Sequence, residues 1–178
     1  MQTVTVTLVV KGEGDSAVEA RLGHTMIELI AERVDDHPSQ SILVDLLAQH
    51  PSARVRRAVA CRNSLTEERI AALADDPDVE VRRALLSSSS FRNWVTTERL
   101  LTMAAANVDV AVQVAGDVHV FDVAEVDRLA EELAVHPDPS VRAALAQGWR
   151  TPKLVLKQLL EDPDYEVGLS AKETLDQR

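Results

Sequence analysis

A chain of 178 residues, 46% hydrophobic with few glycines and prolines, is long enough to bury one helical core, and its single cysteine excludes an internal disulfide and suits a reducing compartment. The formal net charge of −10 counts against long-range attraction to nucleic acid. No stretch approaches a membrane span, and the start lacks the basic flank and apolar run of a secretory signal, so the expected compartment is cytoplasmic.

Gln2 to Val10 alternates Val4, Val6 and Leu8 with Thr3, Thr5 and Thr7, the pattern of a strand with one buried face, and it stops at Lys11-Gly12-Glu13-Gly14-Asp15. Residues 1–15 therefore read as a strand or an extended arm. A lone strand needs a partner for its N–H and C=O groups. The candidates are the same strand of a second subunit, which would make a homodimer, the short stretch Val118 to Phe121, or an extended segment of a binding partner. Ser16 to Val34 reads as a helix with Met26, Ile27, Ile30 and Val34 on one face, and residues 16–37 as a cap on the first edge of a helical stack.

Residues 38–178 read as a succession of short helices. His37-Pro38-Ser39 opens the helix carrying Ile42, Leu43, Leu46 and Leu47. Pro51 to Arg62, Thr66 to Asp75 and Pro77 to Leu86 come next. Ser64, three residues before Glu67, has the spacing of a capping box, and Asp76-Pro77 reads as a cap followed by a first-turn proline. The serines of Ser87 to Trp94 favour turns, which places that segment on a loop. Thr97 to Ala106, Asp109 to Ala115, Val123 to Val135, Pro139 to Gln147, Pro152 to Leu160 and Tyr165 to Leu175 complete the helices; Asp122 with Glu125 repeats the box spacing.

The unit Val81-Arg82-Arg83-Ala84 has counterparts at Val55-Arg56-Arg57-Ala58 and Val141-Arg142-Ala143-Ala144, with weaker copies at Val112 and Val167. These valines are 26, 31, 29 and 26 residues apart, a period in the solenoid range. With the pattern Asp76-Pro77-Asp78-x-x-Val81-Arg82-x-Ala84, the stretch from Pro38 to Leu175 resembles the leucine-rich repeat variant group and the closely similar HEAT-like repeats. The resemblance implies an all-α, right-handed α-solenoid of about five short helical repeats, preceded here by a short N-terminal β-strand. It also implies one curved face that binds other macromolecules. Leucine-rich repeat variant proteins are linked to an iron–sulfur cluster held by a run of cysteines; with Cys61 alone, no cofactor is expected here.

Arg56, Arg82 and Arg142 stand six residues after His50, Asp76 and His136. The resemblance implies a structural ladder for Asp76 and Arg82, with Arg142 at the matching place. Arg57 and Arg83, one position on, form a row suited to carboxylate or phosphate recognition, or simply a solvated helix face. Phe91, Trp94 and Trp149 are notable because aromatics make up only 3%; Trp94 and Trp149 read as plugs between helix pairs, or as interface anchors if exposed. The five histidines are scattered without metal-ligand spacing, and Cys61 would act as a nucleophile only with a histidine brought near it by folding, so neither a catalytic nor a metal site is expected.

The charge is uneven: residues 1–53 carry −5, residues 54–99 +2 and residues 100–178 −7. The function these observations favour is a non-catalytic protein-interaction module whose curved face presents Arg56, Arg57, Arg82 and Arg83, with Trp94, to an acidic segment of a partner. Two rival readings are a nucleic-acid protein resembling the HEAT-like DNA glycosylases, which the acidic balance disfavours, and an acidic immunity-type antagonist of a basic toxin or nuclease. The latter would use Asp162, Asp164 and Glu166.

Overall fold

The computed structural model describes residues 5–11, 17–34, 37, 40–121 and 125–178. The strand's first residues through Val4, its stop at Gly12 to Asp15, the Pro38-Ser39 helix opening and the Asp122 cap lie outside them. The described residues form twelve α-helices and one two-stranded sheet, in two compact units, Met1–Leu85 and Leu86–Arg178.

The first unit opens with a hairpin. Strand β1 (Thr7–Lys11) pairs antiparallel with β2 (Ala17–Arg21), Thr7 facing Arg21 and Val9 facing Glu19. The expected lone strand thus has its partner ten residues on in its own chain, and the helix expected from Ser16 begins only at His24. Ala17 to Arg21 is rich in helix-forming residues, but pairing with β1 supplies the backbone hydrogen bonds and overrides that local preference. Val118 to Phe121 forms no strand; Val118–Val120 is a single 3-10 turn.

Helices α1 (His24–Arg33), α2 (Ser41–Ala48), α3 (Ala53–Ala60), α4 (Glu67–Ala74) and α5 (Val79–Leu86) follow. In this unit α3 packs on α1, α2 and α4, and α2 also touches α4. Helix α1 buries Ile27 and Ala31 but exposes Met26, which was expected on its inward face; α2 buries Val44 and Leu47 and exposes Ile42 and Leu46.

The second unit holds α6 (Ser89–Trp94), α7 (Thr97–Ala106), α8 (Val108–Gly116), α9 (Val126–Ala134), α10 (Pro139–Gln147), α11 (Lys153–Leu159) and α12 (Tyr165–Asp176). Within it α7 packs on α9 and α9 on α11, while α8 packs on α10 and α10 on α12. The serine-rich segment expected on a loop is helix α6. Ser88 caps it by accepting from Phe91 N, and Phe91, completely buried, holds it down.

Side-chain caps start most helices, though not always at the expected residue. Thr66, not Ser64, accepts from Arg69 N; Glu67 is already the first helical residue and stands too early to complete a box. Asp78, not Asp76, receives Glu80 N at the start of α5. Asp138 receives Ser140 N, and Asp164 receives Glu166 N.

A similar spacing of buried residues recurs in four helices, shifted in one of them relative to the Val112 reading. The buried positions are Val55, Val59 and Ala60 in α3; Val81, Leu85 and Leu86 in α5; Val141, Leu145 and Ala146 in α10. In α8 the matching set is Val110, Val114 and Ala115, so Val110 takes the place assigned to Val112, which is half-buried.

Candidate functional site

Arginines anchor the helix pairs by one repeated device. Arg56 on α3 closes a two-pronged bond on Asp76, Nε to Oδ2 at 2.7 Å and Nη2 to Oδ1 at 2.9 Å, and its Nη1 donates to His50 O and Pro51 O. Arg142 on α10 does the same to Asp162, at 2.8 and 3.0 Å, and to His136 O and Pro137 O. Both carboxylates are 5% exposed. Hydrogen bonds from Arg142 hold the Asp162 carboxyl below its usual pKa against the opposing effect of burial.

The residue before each proline makes the turn. Asp76 Oδ1 accepts from Asp78 N and Asp162 Oδ1 from Asp164 N; at the matching places His50 Nδ1 accepts from Ser52 N and His136 Nδ1 from Asp138 N. An imidazole nitrogen thus stands in for a carboxylate oxygen, which requires it to be unprotonated. Burial, then His24 and Arg56, push the His50 pKa down and favour that form.

Arg82 repeats only part of the device. Its Nη1 donates to Asp76 O, six residues back, but Nε is buried without an acceptor among the described residues. Arg56, Arg82 and Arg142 each donate to the backbone carbonyl six residues back, while the Asp76 carboxylate pairs with Arg56 and not with Arg82. Arg56 and Arg82, expected on a partner-binding face, are engaged within the fold.

Arg57 and Arg83 point to solvent. Arg83 is 42% exposed and pairs with Glu80 at 3.0 Å. Arg57 lines a cleft of about 870 Å³ between α1 and α3, whose charged walls are Glu28, Glu32 and Arg33 from α1, Arg54 and Arg57 from α3, and Arg62 beyond it. Arg62 reaches back to Ala31 O at 3.4 Å, while Arg33, Arg54 and Arg57 are exposed. The free thiol of Cys61 sits on the rim. The recurring Val-Arg-Arg-Ala pattern singles out Arg57 but not Arg54 or Arg33. Arg54 stands one turn before Arg57 on the same helix face, a spacing legible in the sequence; the approach of Arg33 depends on how α1 meets α3.

The two tryptophans are not equivalent. Trp94 is half-buried with its ring 6.4 Å from that of Phe91, so it serves packing more than contact, and Trp149 is exposed. Of the acidic residues expected on an antagonist surface, Asp162 lies in the clamp and Asp164 caps α12, leaving Glu166 exposed.

Among the described residues no group of three or more histidine, cysteine, aspartate or glutamate side chains is placed to hold a metal ion, and no helix is long and apolar enough to cross a membrane. Comparison with known protein families, with curated proteins and with solved structures found no match.

Proposed function

We propose that this chain is a non-catalytic protein-interaction module of helical-repeat type, whose first unit receives an acidic segment of a partner in the cleft between α1 and α3. The observation that carries the reading is the division of labour among the arginines. Arg56 and Arg82 bond inward, whereas Arg33, Arg54 and Arg57 stand open around the cleft with no acceptor among the described residues. Guanidinium forks match carboxylates in geometry as well as charge, and several converging on one cleft give selectivity that a single exposed pair lacks. The recurrence of the clamp at Arg56–Asp76 and Arg142–Asp162 supports reading the helix pairs as repeats of a solenoid.

The test begins with affinity capture from a native lysate, with and without nuclease, followed by the double variant Arg54→Glu/Arg57→Glu. Capture of a protein that survives nuclease and weakens at least tenfold in the variant, about 1.4 kcal/mol, is the expected result. Unchanged affinity with unchanged melting excludes the cleft, and capture abolished by nuclease replaces the protein partner with a nucleic acid.

A further inference from the structure

The second unit displays a tryptophan on a loop that is held in shape from three directions. Trp149 and Arg150 lie between α10 and α11. Beneath them Thr151, fully buried, donates its hydroxyl to Leu145 O at 2.7 Å. Gly148 allows that close approach, since a Cβ there would stand 2.5 Å from the threonine hydroxyl. Arg178 donates to Thr151 O at 2.8 Å and to Gly148 O at 3.1 Å. Trp149 itself is 60% exposed, with the Arg150 guanidinium 4.5 Å from its ring centroid and the His119 ring at 5.9 Å, edge-on.

The charge along this stretch of chain is opposite in sign to that of residues 100–178 as a whole. From Gly148 to Leu160 the chain carries Arg150, Lys153 and Lys157 and no acidic residue, although residues 100–178 sum to −7. All three side chains are exposed, and they have no carboxylate partner among the described residues, whereas Arg128 pairs with Glu98 and Glu125, and Arg142 with Asp162. Leu154, 79% exposed, adjoins Lys153 one turn before Lys157. A tryptophan fixed in place before contact loses little freedom on binding, and tryptophan and arginine dominate interface energetics.

We infer that the Trp149 loop and the outer face of α11 dock an acidic, apolar segment of a protein partner. Its apolar side chains cover the exposed parts of Trp149 and Leu154, and its carboxylates meet Arg150, Lys153 and Lys157. The inference is separate from the cleft on the first unit and does not rest on it.

The probe is a helix-forming peptide with leucines at positions i, i+3, i+4 and i+7 and glutamates between them. In Trp94→Phe protein, Trp149 is the sole tryptophan. Its emission should move to the blue on addition of the peptide, and Arg150→Glu/Lys153→Glu should weaken binding at least tenfold with unchanged melting. Arg54→Glu/Arg57→Glu should leave the shift intact. Should Trp94→Phe fold poorly, the indole N–H resonance of Trp149 in the wild-type chain gives the same readout. A shift that survives Arg150→Glu/Lys153→Glu, an equal shift with lysines in place of glutamates, or no shift at all overturns the proposal. So does a shift seen only with anionic phospholipid vesicles or a single-stranded oligonucleotide.

Discussion

Arg56 and Arg142 each make four hydrogen bonds, two to a carboxylate and two to carbonyls of a turn, and so tie each helix to the loop of the next pair. Removing either guanidinium strands a buried carboxylate, a far costlier defect than losing an exposed ion pair. Arg56→Met and Arg142→Met should each cost about 3 kcal/mol in urea denaturation. Arg82→Met forfeits one bond to a carbonyl and removes an unsatisfied Nε, and should cost less than half as much. Equal losses at the three sites would show that the carboxylate is not what distinguishes them. The turn residues add a dependence on pH. The folded pKa of His50 lies below its unfolded value of about 6.5, so its contribution to stability is full above that pH and declines as pH falls below it. The groups facing it are His24 and Glu28 on α1 and Arg56 on α3. His50→Asn keeps an oxygen acceptor for Ser52 N but cannot titrate, and should flatten the melting profile between about pH 7 and pH 5. Asp162 acts lower on the scale. Its depressed pKa means stability present above about pH 4 and lost as pH falls through the folded value, a loss that Asp162→Asn should no longer show.

Helix starts divide into those set by local chemistry and those set by packing. Thr66 and Thr96 each receive the N–H three residues on, so Thr66→Ala should cost about 1 kcal/mol while Ser64→Ala, outside the helix, stays within about 0.5. Thermal or chemical melting of the two variants decides which residue is the cap, and a larger loss at Ser64 would reverse the assignment. The same division explains how much the letters alone disclose. The paired helices around Arg56, Arg82 and Arg142 were legible because buried valines, capping residues and prolines recur together. Strand β2 was not, because Ala17-Val18-Glu19-Ala20-Arg21 carries a helical composition and becomes a strand only through β1. Helix α6 was missed for the converse reason: four serines argue for a turn, but one of them is a cap and Phe91 supplies the burial. In α8, valines at 108, 110, 112 and 114 offer two registers to any alignment, and packing chooses Val110 and Val114.

At the level of the whole molecule, charge located the basic third of the chain but not the proposed cleft. Arg54 and Arg57 fall inside residues 54–99, whereas Arg33 belongs to an acidic stretch and reaches the cleft only because α1 packs on α3. Apolar surface is distributed just as unevenly. Among the described residues, every large hydrophobic side chain exposed on the first unit precedes residue 50: Leu8 and Val9 on the hairpin, Met26 and Leu29 on α1, Ile42 and Leu46 on α2. A helix that closes the end of a stack presents polar residues outward, and α1, within the residues 16–37 read from the sequence as a cap, exposes Met26 and Leu29. Whether that face is free in solution can be measured without knowing any partner. Ile42 and Leu46 are 76% and 51% exposed, so Ile42→Gln/Leu46→Gln should leave the melting temperature within about 2 °C if the face meets only water. A larger fall, together with a wild-type melting temperature that rises with protein concentration, would mean that a second copy covers these side chains. Light scattering would then give the wild type twice the mass of the variant, and the hairpin's two open edges would become the next place to look for the contact.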